Sequence, residues 1–283
     1  MSAEPVQAAA WTPARIGSRL RPLLTPYWAL LLLFALVALL APLIAPYDPI
    51  QADLEAKLLP PSSAHLFGTD ENGMDIFSRV LFATRTDLVV AVLGVAIAFV
   101  VGVPIGAMCG YLGGWLDELF NRTSEIVQSI PLFLFALMIF AALGNSKTIL
   151  VAVVAIVNIP IFLKLTRSVV QPIKNQDYIA AARLAGQPTS RIVLRHVLPN
   201  TLGPIVSQAS ISAAYAIQIT AGLAFIGLGV ELPHPEWGSM IQQGAPLIMD
   251  GDWWVSVFPG LAVLLAVVAF GGVGRQIARR YDR

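Results

Sequence analysis

The sequence is short of charge. Only 12% of its 283 residues are Asp, Glu, Lys or Arg, whereas 57% are hydrophobic and the mean hydropathy is +0.73. A soluble domain carries about 25% charged residues, so we expect the lipid bilayer to be the solvent for much of the chain. The single cysteine, Cys109, excludes an internal disulfide, and we interpret it as a small buried side chain.

Motifs for several kinds of chemistry are also missing. The sequence has no G-x-x-x-x-G-K-[ST] phosphate-binding loop and no H-E-x-x-H pair. Its histidines, His65, His196 and His234, lie far apart and form no metal-ligand pattern. We therefore predict no catalytic residue, no bound metal and no cofactor held by this chain. Nucleic acid is not an expected partner, because no basic face exists outside the membrane-flanking segments.

Ionisable residues are absent from long apolar stretches. Residues 88–112, 203–228 and 255–274 contain no Asp, Glu, Lys, Arg or His. A proton-coupled transporter needs an ionisable group in the membrane interior, so a solute moved by this chain would draw its energy from a separate subunit. A stand-alone secondary transporter and a non-transporting scaffold are the alternatives. The neutral Asn158, Gln208 and Gln218 are candidate pore-lining residues, although such groups more often join one helix to another.

Six apolar runs are long enough to cross a bilayer. A helical crossing needs ~20 residues. The runs lie near 27–46, 88–112, 119–143, 148–170, 203–228 and 255–274. They predict an all-α integral membrane protein with six transmembrane helices, an N-terminal tail at 1–26 and a transmembrane domain at 27–283.

The distribution of Lys and Arg predicts the orientation. If the N-terminus is inside, the inside segments contain 14 of these residues, including Arg15, Arg19 and Arg21, and the outside segments contain four. The excess of positive charge on the inside places both termini in the cytoplasm. The larger outside segments are then 47–87 and 229–254. Their acidic excess suggests contact with an external protein, and solvated loops are the alternative.

Small residues recur every fourth position in the second predicted span. The set includes Gly102, Gly106 and Gly110. Residues four apart lie on one face of a helix, and a ridge of glycines lets a second helix approach closely. The favoured interpretation is a fixed packing seam, and a contact that moves during a conformational cycle is the alternative. Pro104, within the ridge, predicts a kink.

The loop 171–202 is a polar island between apolar runs, and it predicts two short helices. Asp177 favours the start of the first helix, and Gly186 favours its end. Thr189 or Ser190 is expected to cap a second helix from Arg191 to about Leu198. Pro199 is expected to end that helix. The element could rest on anionic lipid or dock on a cytoplasmic partner, and pattern alone leaves both open.

The island resembles the cytoplasmic signature of binding-protein-dependent ABC importer permeases. That signature reads EAA, three residues, Gly, nine residues, Ile-x-Leu-Pro. Its matches here are Ala181, Ala182, Gly186, Leu198 and Pro199, whereas Ala180 stands in place of the Glu and His196 in place of the Ile. The run HLFGTDENGMDIFSR at 65–79 resembles C-type subunits of the dipeptide, oligopeptide and nickel permeases, with Met74 where those usually have Arg.

The resemblance implies the type I ABC importer permease fold with a cytoplasmic coupling helix. The chain would be a permease subunit of an ATP-driven importer for peptides or similar small solutes in the bacterial inner membrane. It would pair with a second homologous permease, two cytoplasmic ATPase subunits that bind ATP and Mg²⁺, and an external solute-binding protein. The implied ATPase-coupling residues are Asp177, Ala180, Ala181, Ala182, Gly186, Arg191, His196, Leu198 and Pro199.

Overall fold

The computed structural model describes residues 25–281, so Arg15, Arg19, Arg21 and Arg283 and nearly all of the tail 1–26 lie outside the described residues. The helices are α1 (Pro26–Ile44), α2 (Ile76–Leu112), α3 (Gly114–Ser129), α4 (Leu132–Leu143), α5 (Lys147–Ile173), α6 (Asp177–Leu184), α7 (Thr189–Ile192), α8 (Leu198–Phe225), α9 (Trp237–Gly244) and α10 (Trp254–Tyr281). A π-helical segment, Val193–Val197, joins α7 to α8, and a 3₁₀ turn, Pro246–Asp250, follows α9. The all-α prediction is confirmed.

Four helices, α1, α2, α5 and α10, are long and apolar enough to cross a membrane. A fifth crossing results if α3 and α4 together form one bent span. The predicted span at 203–228 lies almost wholly within α8, which has 28 residues but includes polar side chains such as Ser207, Gln208 and Ser212. Length and composition therefore support four or five of the six predicted crossings directly.

The predicted span over 119–143 is not one straight helix but two helices joined at a sharp bend. The axes of α3 and α4 differ in direction by 88° at the break around Ile130 and Pro131. Pro131 has no N–H to continue the hydrogen bonding of α3, and its ring disfavours helical backbone at Ile130. Ile130 is accordingly extended, with φ −85° and ψ 124°.

Helix α2 begins twelve residues before the predicted start at 88. Asp75 caps it, because the carboxylate accepts the Ser78 N–H at 2.8 Å. Half of the twelve added residues are polar or charged, so a search for apolar runs does not include these turns. Helix α2 continues through Pro104 as far as Leu112.

The glycine ridge of α2 faces α5. A Cβ atom at Gly102 would lie 2.8 Å from the carbonyl oxygen of Ile159, and one at Gly110 would lie 2.9 Å from that of Arg167. A Cβ at Gly106 would contact the Leu163 carbonyl. These neighbours are backbone atoms, so only glycine permits this separation between the two helices.

Helices α8 and α10 run antiparallel. Ser207 donates a hydrogen bond to the Gly274 carbonyl at 2.8 Å, and Ser210 donates one to the Phe270 carbonyl at 2.7 Å. Hydroxyl-to-carbonyl bonds of this kind join helices where the hydrophobic effect gives no preference for protein over lipid.

The segments before α2 and before α10 pack together as one body. The Arg79 side chain is 3% exposed and donates to the carbonyls of Pro49, at 2.8 Å, and Pro233, at 3.3 Å. Trp254 donates through Nε1 to the Thr69 carbonyl at 3.2 Å. Segments far apart in the sequence therefore share buried hydrogen bonds at one end of the helix bundle.

Candidate functional site

The first half of the candidate site is α6 and the turn after it. Asp177 is the first residue of α6, where its carboxylate favours the positive end of the helix dipole. Gly186 has φ +73°, a conformation that costs glycine little. The Gln187 N–H donates to the Ala182 carbonyl at 3.2 Å, and the Gly186 N–H donates to the Arg183 carbonyl at 2.9 Å. This pair of bonds is a Schellman motif, which reverses the chain sharply after α6.

The second half departs from the sequence prediction at its start. Helix α7 begins at Thr189 itself, and the preceding Pro188 occupies the N-cap position without a side-chain hydrogen bond. The expected cap by Thr189 or Ser190 is therefore wrong. Proline is well suited to the edge of a helix because its φ is already close to helical and it has no N–H to satisfy.

The prediction that Pro199 ends a helix is also wrong. The chain stays helical from Thr189 to Phe225, and Pro199 lies in the first turn of α8. Proline in a regular α-helix would clash with the carbonyl four residues earlier, here that of Arg195. The π-helical segment relieves this conflict by widening the turn, and the Leu198 N–H donates to the Val193 carbonyl five residues back.

A separate apolar core holds the element on the ends of α2 and α5. Its buried residues are Ala107, Tyr111, Val170, Ile179, Ala182, Ile192, Val193 and Val197. Arg183 reinforces this core, because its Nε donates to the Tyr111 hydroxyl at 2.8 Å and its guanidinium lies 5.0 Å from the centre of that ring. Arg183 also donates to the Lys174 carbonyl at 3.2 Å. The element is thus packed against two membrane helices and does not hang free.

The exposed surface of the element combines small and apolar residues with the charged Asp177, Arg183, Arg191 and Arg195. Leu184 is 90% exposed, and Leu194, which is 64% exposed, lines a pocket with Pro104, Met108 and Leu112 of α2. Ala180 and Ala181 are exposed one turn before Leu184, so they share its face of α6. Sequence reasoning missed Leu184 and Leu194. The available signal was the spacing of three and four residues from the alanines to Leu184.

The nine predicted coupling residues all lie on this element, but they face different ways. Six are exposed: Asp177, Ala180, Ala181, Gly186, Arg191 and Pro199. Ala182 is buried in the apolar core, and Leu198 is partly buried against it. His196 is half-buried, with Nε2 3.1 Å from Oε1 of Gln187, so it braces the turn between α6 and α7.

The three candidate pore residues are not equivalent. Asn158 on α5 is 2% exposed and donates to the Val154 carbonyl at 2.8 Å, so it faces packed protein. Gln208 on α8 is half-buried and donates to the Ser212 hydroxyl at 3.3 Å. Gln218, also on α8, is exposed and lies three residues after Tyr215, which is 59% exposed. The structure brings Gln218 and Tyr215 onto one open face of α8.

An ion pair fixes α3 against α5. Arg167 donates to Asp117 in two parallel bonds, from Nε to Oδ1 at 2.5 Å and from Nη2 to Oδ2 at 2.7 Å. Asn121 donates to the same Oδ1 at 2.7 Å. Two-bond arginine–carboxylate contacts are geometrically specific, so this pair sets the position of α3 on α5.

A buried carboxyl group lies in the segment between α8 and α9. Glu236 is fully buried, and its Oε2 accepts the Val230 N–H at 2.8 Å, whereas its Oε1 has no hydrogen-bond partner within residues 25–281. Burial raises the pKa of Glu236 to about 7. The next residue, Trp237, donates its N–H to Asp87 at 3.1 Å. The segment therefore carries a titratable group directly beside its attachment to α2.

Two sequence profiles match the chain. One, described as the binding-protein-dependent transport system inner membrane component, covers residues 102–283. The other, described as the N-terminal TM domain of oligopeptide transport permease C, covers residues 28–61. Together they include α1 and everything from the middle of α2 onward.

Curated relatives align over most of the chain. The probable D,D-dipeptide transport system permease protein DdpC of Escherichia coli K12 is 38% identical over 92% of this chain and 87% of its own length. The di/tripeptide transport system permease protein DppC of Pseudomonas aeruginosa is 38% identical over 89% of this chain and 85% of its own. The dipeptide transport system permease protein DppC of Bacillus subtilis is 33% identical over 89% and 79%.

A solved structure shares the fold. A chain of the MetNI methionine ABC transporter, in an inward-facing conformation, superposes with a TM-score of 0.60 at 18% identity, covering 72% of this chain and 97% of that one. The apolar helices, the turn at Gly186 between α5 and α8 and the length of the sequence matches all point to the same family. The chain belongs to the family of binding-protein-dependent transport system inner membrane components.

Proposed function

We propose that this chain is a permease subunit of an ATP-driven peptide importer, and that α6 and α7 are its docking surface for a cytoplasmic ATPase. The observation that carries the proposal is the exposed apolar and small-residue surface around Leu184, held rigidly by its own core on α2 and α5. Because that core holds α6 in one place on α2 and α5, its exposed side chains present a fixed surface to a partner.

The chain supplies no site for ATP in this proposal. Two ATPase subunits bind ATP and Mg²⁺, a second homologous permease completes the pore, and an external binding protein delivers the solute. Family membership supports the ATPase and the binding protein, and the pairing with a second permease is our inference from the resemblance. The relatives' names, which specify dipeptides and tripeptides, support peptides as the solute class.

To couple ATP binding to transport, the docking surface must make different contacts with the ATPase in the two conformations of the pore. ATP can shift an equilibrium between pore conformations only through such a difference. The Schellman turn at Gly186 and the contact between Arg183 and Tyr111 make α6 follow the ends of α2 and α5. A displacement of the docked ATPase would then move the membrane helices as well as the loop.

We assign the pore-facing surface to α8. The open face with Tyr215 and Gln218 is neutral and polar, as a path for zwitterionic peptides would need. Asn158 is packed inside the chain and is a less suitable candidate. In the proposed complex both termini lie in the cytoplasm, and the outside segments 47–87 and 229–254 contact the external binding protein.

The test compares two equally exposed apolar residues at opposite ends of the helix bundle. Leu184→Asn changes the docking surface, and Met249→Asn changes a side chain that is 91% exposed just before α10. Both variants are reconstituted with the second permease, and the retained ATPase subunits are quantified by co-purification. We expect Leu184→Asn to lose at least tenfold in ATPase affinity and Met249→Asn to lose none. Equal retention in both variants would contradict the docking role.

A second measurement separates this function from a stand-alone transporter. Proteoliposomes that contain this chain alone are expected to accumulate no peptide under an imposed proton or sodium gradient. Accumulation there, without nucleotide or companion subunits, would overturn the proposal.

A further inference from the structure

We propose that Glu236 is a proton-binding site that controls whether the strap, residues 229–236, stays closed on the helix bundle. The strap lies between the end of α8 and the start of α9. A proton on the carboxyl group of Glu236 keeps the strap closed, and loss of that proton releases it. The binding of the proton does not depend on the proposed function, and only its effect on transport does.

The carboxyl group of Glu236 is packed inside the closed strap. Its Oε2 atom accepts the Val230 N–H at 2.8 Å, which joins the two ends of the strap. A Cβ atom on Gly229 would lie 2.5 Å from the same oxygen and 2.8 Å from the Cβ of Ala224 in α8. The absence of a side chain at Gly229 therefore leaves the room that the carboxyl group occupies between the strap and α8.

The other carboxyl oxygen of Glu236 has nothing to stabilise a negative charge. Its Oε1 atom is buried and has no hydrogen-bond partner among residues 25–281. The carboxyl group also forms no ion pair with any Lys, Arg or His in that part of the chain. A buried charge without a cation is far more costly than a neutral carboxyl group, and burial accordingly raises the pKa of Glu236 to about 7.

No neighbouring group offsets the cost of a charge on Glu236. Asp87 on α2 is close enough to interact with it electrostatically, and Lys147 at the start of α5 interacts with Asp87. An ionised Asp87 repels a second negative charge, and a protonated Asp87 leaves the burial of Glu236 unopposed. The titratable residues of the strap itself are Glu231 and His234, and the contacts from α8 and α9, Ala224 and Ser239, do not titrate.

A polar pocket brings solvent to the strap. It has a volume of about 300 Å³, and its wall includes Gly229 and Val230, the two residues that contact the Glu236 carboxyl group. The polar side chains that line it are Asn145, Glu231, Ser239, Gln242 and Gln243. A pocket of this size with several polar partners holds water, so protons from solvent reach the backbone that covers the carboxyl group.

Release of the strap affects the helices at both of its ends. Helix α8 leads into it, and Trp237, the residue that follows it, is fixed to α2. The Trp237 N–H donates to Asp87 at 3.1 Å, and its Nε1 donates to the Val80 carbonyl at 3.3 Å. Since the proton is bound more tightly by the closed strap, pH shifts the balance between closed and open forms. In the proposed permease, acidic surroundings would hold this end of α8 and alkaline surroundings would free it.

The size of the effect follows from the pKa of Glu236 in the two forms. The pKa is about 7 in the closed strap and takes the ordinary value of 4.5 in an open, solvated strap. Protonation therefore stabilises the closed form, fully below pH 4.5, and this stabilisation is lost as the pH rises through 7. Between about pH 6 and about pH 8.5, the ratio of closed to open strap should fall about tenfold.

Hydrogen–deuterium exchange of the assembled permease measures the closure of the strap at each pH. Protection factors are compared, because they remove the intrinsic pH dependence of amide exchange. The test variant is Glu236→Gln, which has the shape of the protonated acid and cannot ionise. The matched control is Glu231→Gln, which removes an exposed carboxylate from the same strap. The amides of α10 report whether each variant keeps its fold.

In the wild type we expect the protection of the strap amides to fall about tenfold from pH 6 to pH 8.5. Glu231→Gln should show the same fall, and Glu236→Gln should keep its low-pH protection throughout. If Glu236→Gln also loses protection in α10, the wild-type profile decides alone. Protection that is independent of pH in the wild type, or that still falls in a folded Glu236→Gln, would overturn the proposal. Neither result depends on transport, so peptide import is tested separately.

Discussion

The guanidinium of Arg183 in α6 lies over the ring of Tyr111 at the end of α2, 5.0 Å from its centre, and donates to its hydroxyl at 2.8 Å. The two residues are 72 positions apart in the sequence. They connect α6 to α2, the longest helix among residues 25–281, so the orientation of α6 depends on both the charge and the ring.

Tyr111→Phe should loosen α6 without unfolding the protein. The change removes one hydrogen bond, worth about 1 kcal/mol, and keeps the ring under the guanidinium. We expect the amides of residues 181–184 to exchange hydrogen about fivefold faster, and those of α10 to exchange at the wild-type rate. Hydrogen–deuterium exchange with mass spectrometry measures both. Unaltered exchange in α6 would show that the apolar core alone holds it.

Gly106→Val should destabilise the protein through the seam between α2 and α5. The new side chain would meet the Leu163 carbonyl and the Cβ of Thr166, and overpacking of this kind costs about 1–3 kcal/mol. The matched control is Gly260→Ala in α10, where a Cβ would meet no atom within 4 Å. The melting temperature of the assembled permease should fall for Gly106→Val and stay equal or rise for Gly260→Ala. Equal melting temperatures of both variants would mean that α2 and α5 move apart enough to accommodate the valine without a loss of stability.

The ion pair between Asp117 and Arg167 should show a measurable coupling energy. Both side chains are less than one-third exposed, and the pair is joined by two parallel bonds. A double-mutant cycle with Asp117→Asn and Arg167→Gln should give about 1–2 kcal/mol. Denaturant unfolding of the four proteins measures it. Additive effects of the two changes would show that solvent screens the pair.

Ionisation of Glu236 should make stability depend on pH. Its pKa is about 7 in the folded chain, above the 4.5 of an ordinary glutamate, because burial penalises the charged form. The folded state therefore binds the proton of Glu236 more tightly than the unfolded state does. The resulting contribution to the free energy of unfolding is complete below pH 4.5 and is lost as the pH rises through 7.

Glu236→Gln removes the titrating group and is expected to flatten that dependence. The measurement is the melting temperature of wild type and variant at intervals from pH 5 to pH 8. As the pH rises, the melting temperature of the variant should increase relative to that of the wild type. Parallel curves would indicate that water reaches the carboxyl group.

The sequence was a good guide wherever bilayer thickness sets the length of a helix. The predicted spans at 27–46 and 148–170 correspond to α1 and α5 within three residues at each end. The reversal at Gly186 was also predictable, because glycine suits a left-handed C-terminal position. These features depend on local composition or on a single residue's backbone preference.

Features that depend on distant neighbours were not predictable. An average of hydropathy over 119–143 hides the turn at Pro131, since both sides of the break are compatible with a helix. The π-helical segment before Pro199 was missed because proline normally suggests an end. The exposure of Leu184 and the contact of Arg183 with Tyr111 require knowledge of how α6 packs on α2.

The uninterrupted helical run from Thr189 to Phe225 has a mechanical consequence. Its 37 residues extend about 55 Å, almost twice the hydrocarbon thickness. A rod of that length tilted by about 5° sweeps its far tip through about 5 Å. Rotation of the rod by a few degrees about its Thr189 end becomes ångström-scale travel at Phe225, as long as the widened turn at Val193–Val197 keeps its shape.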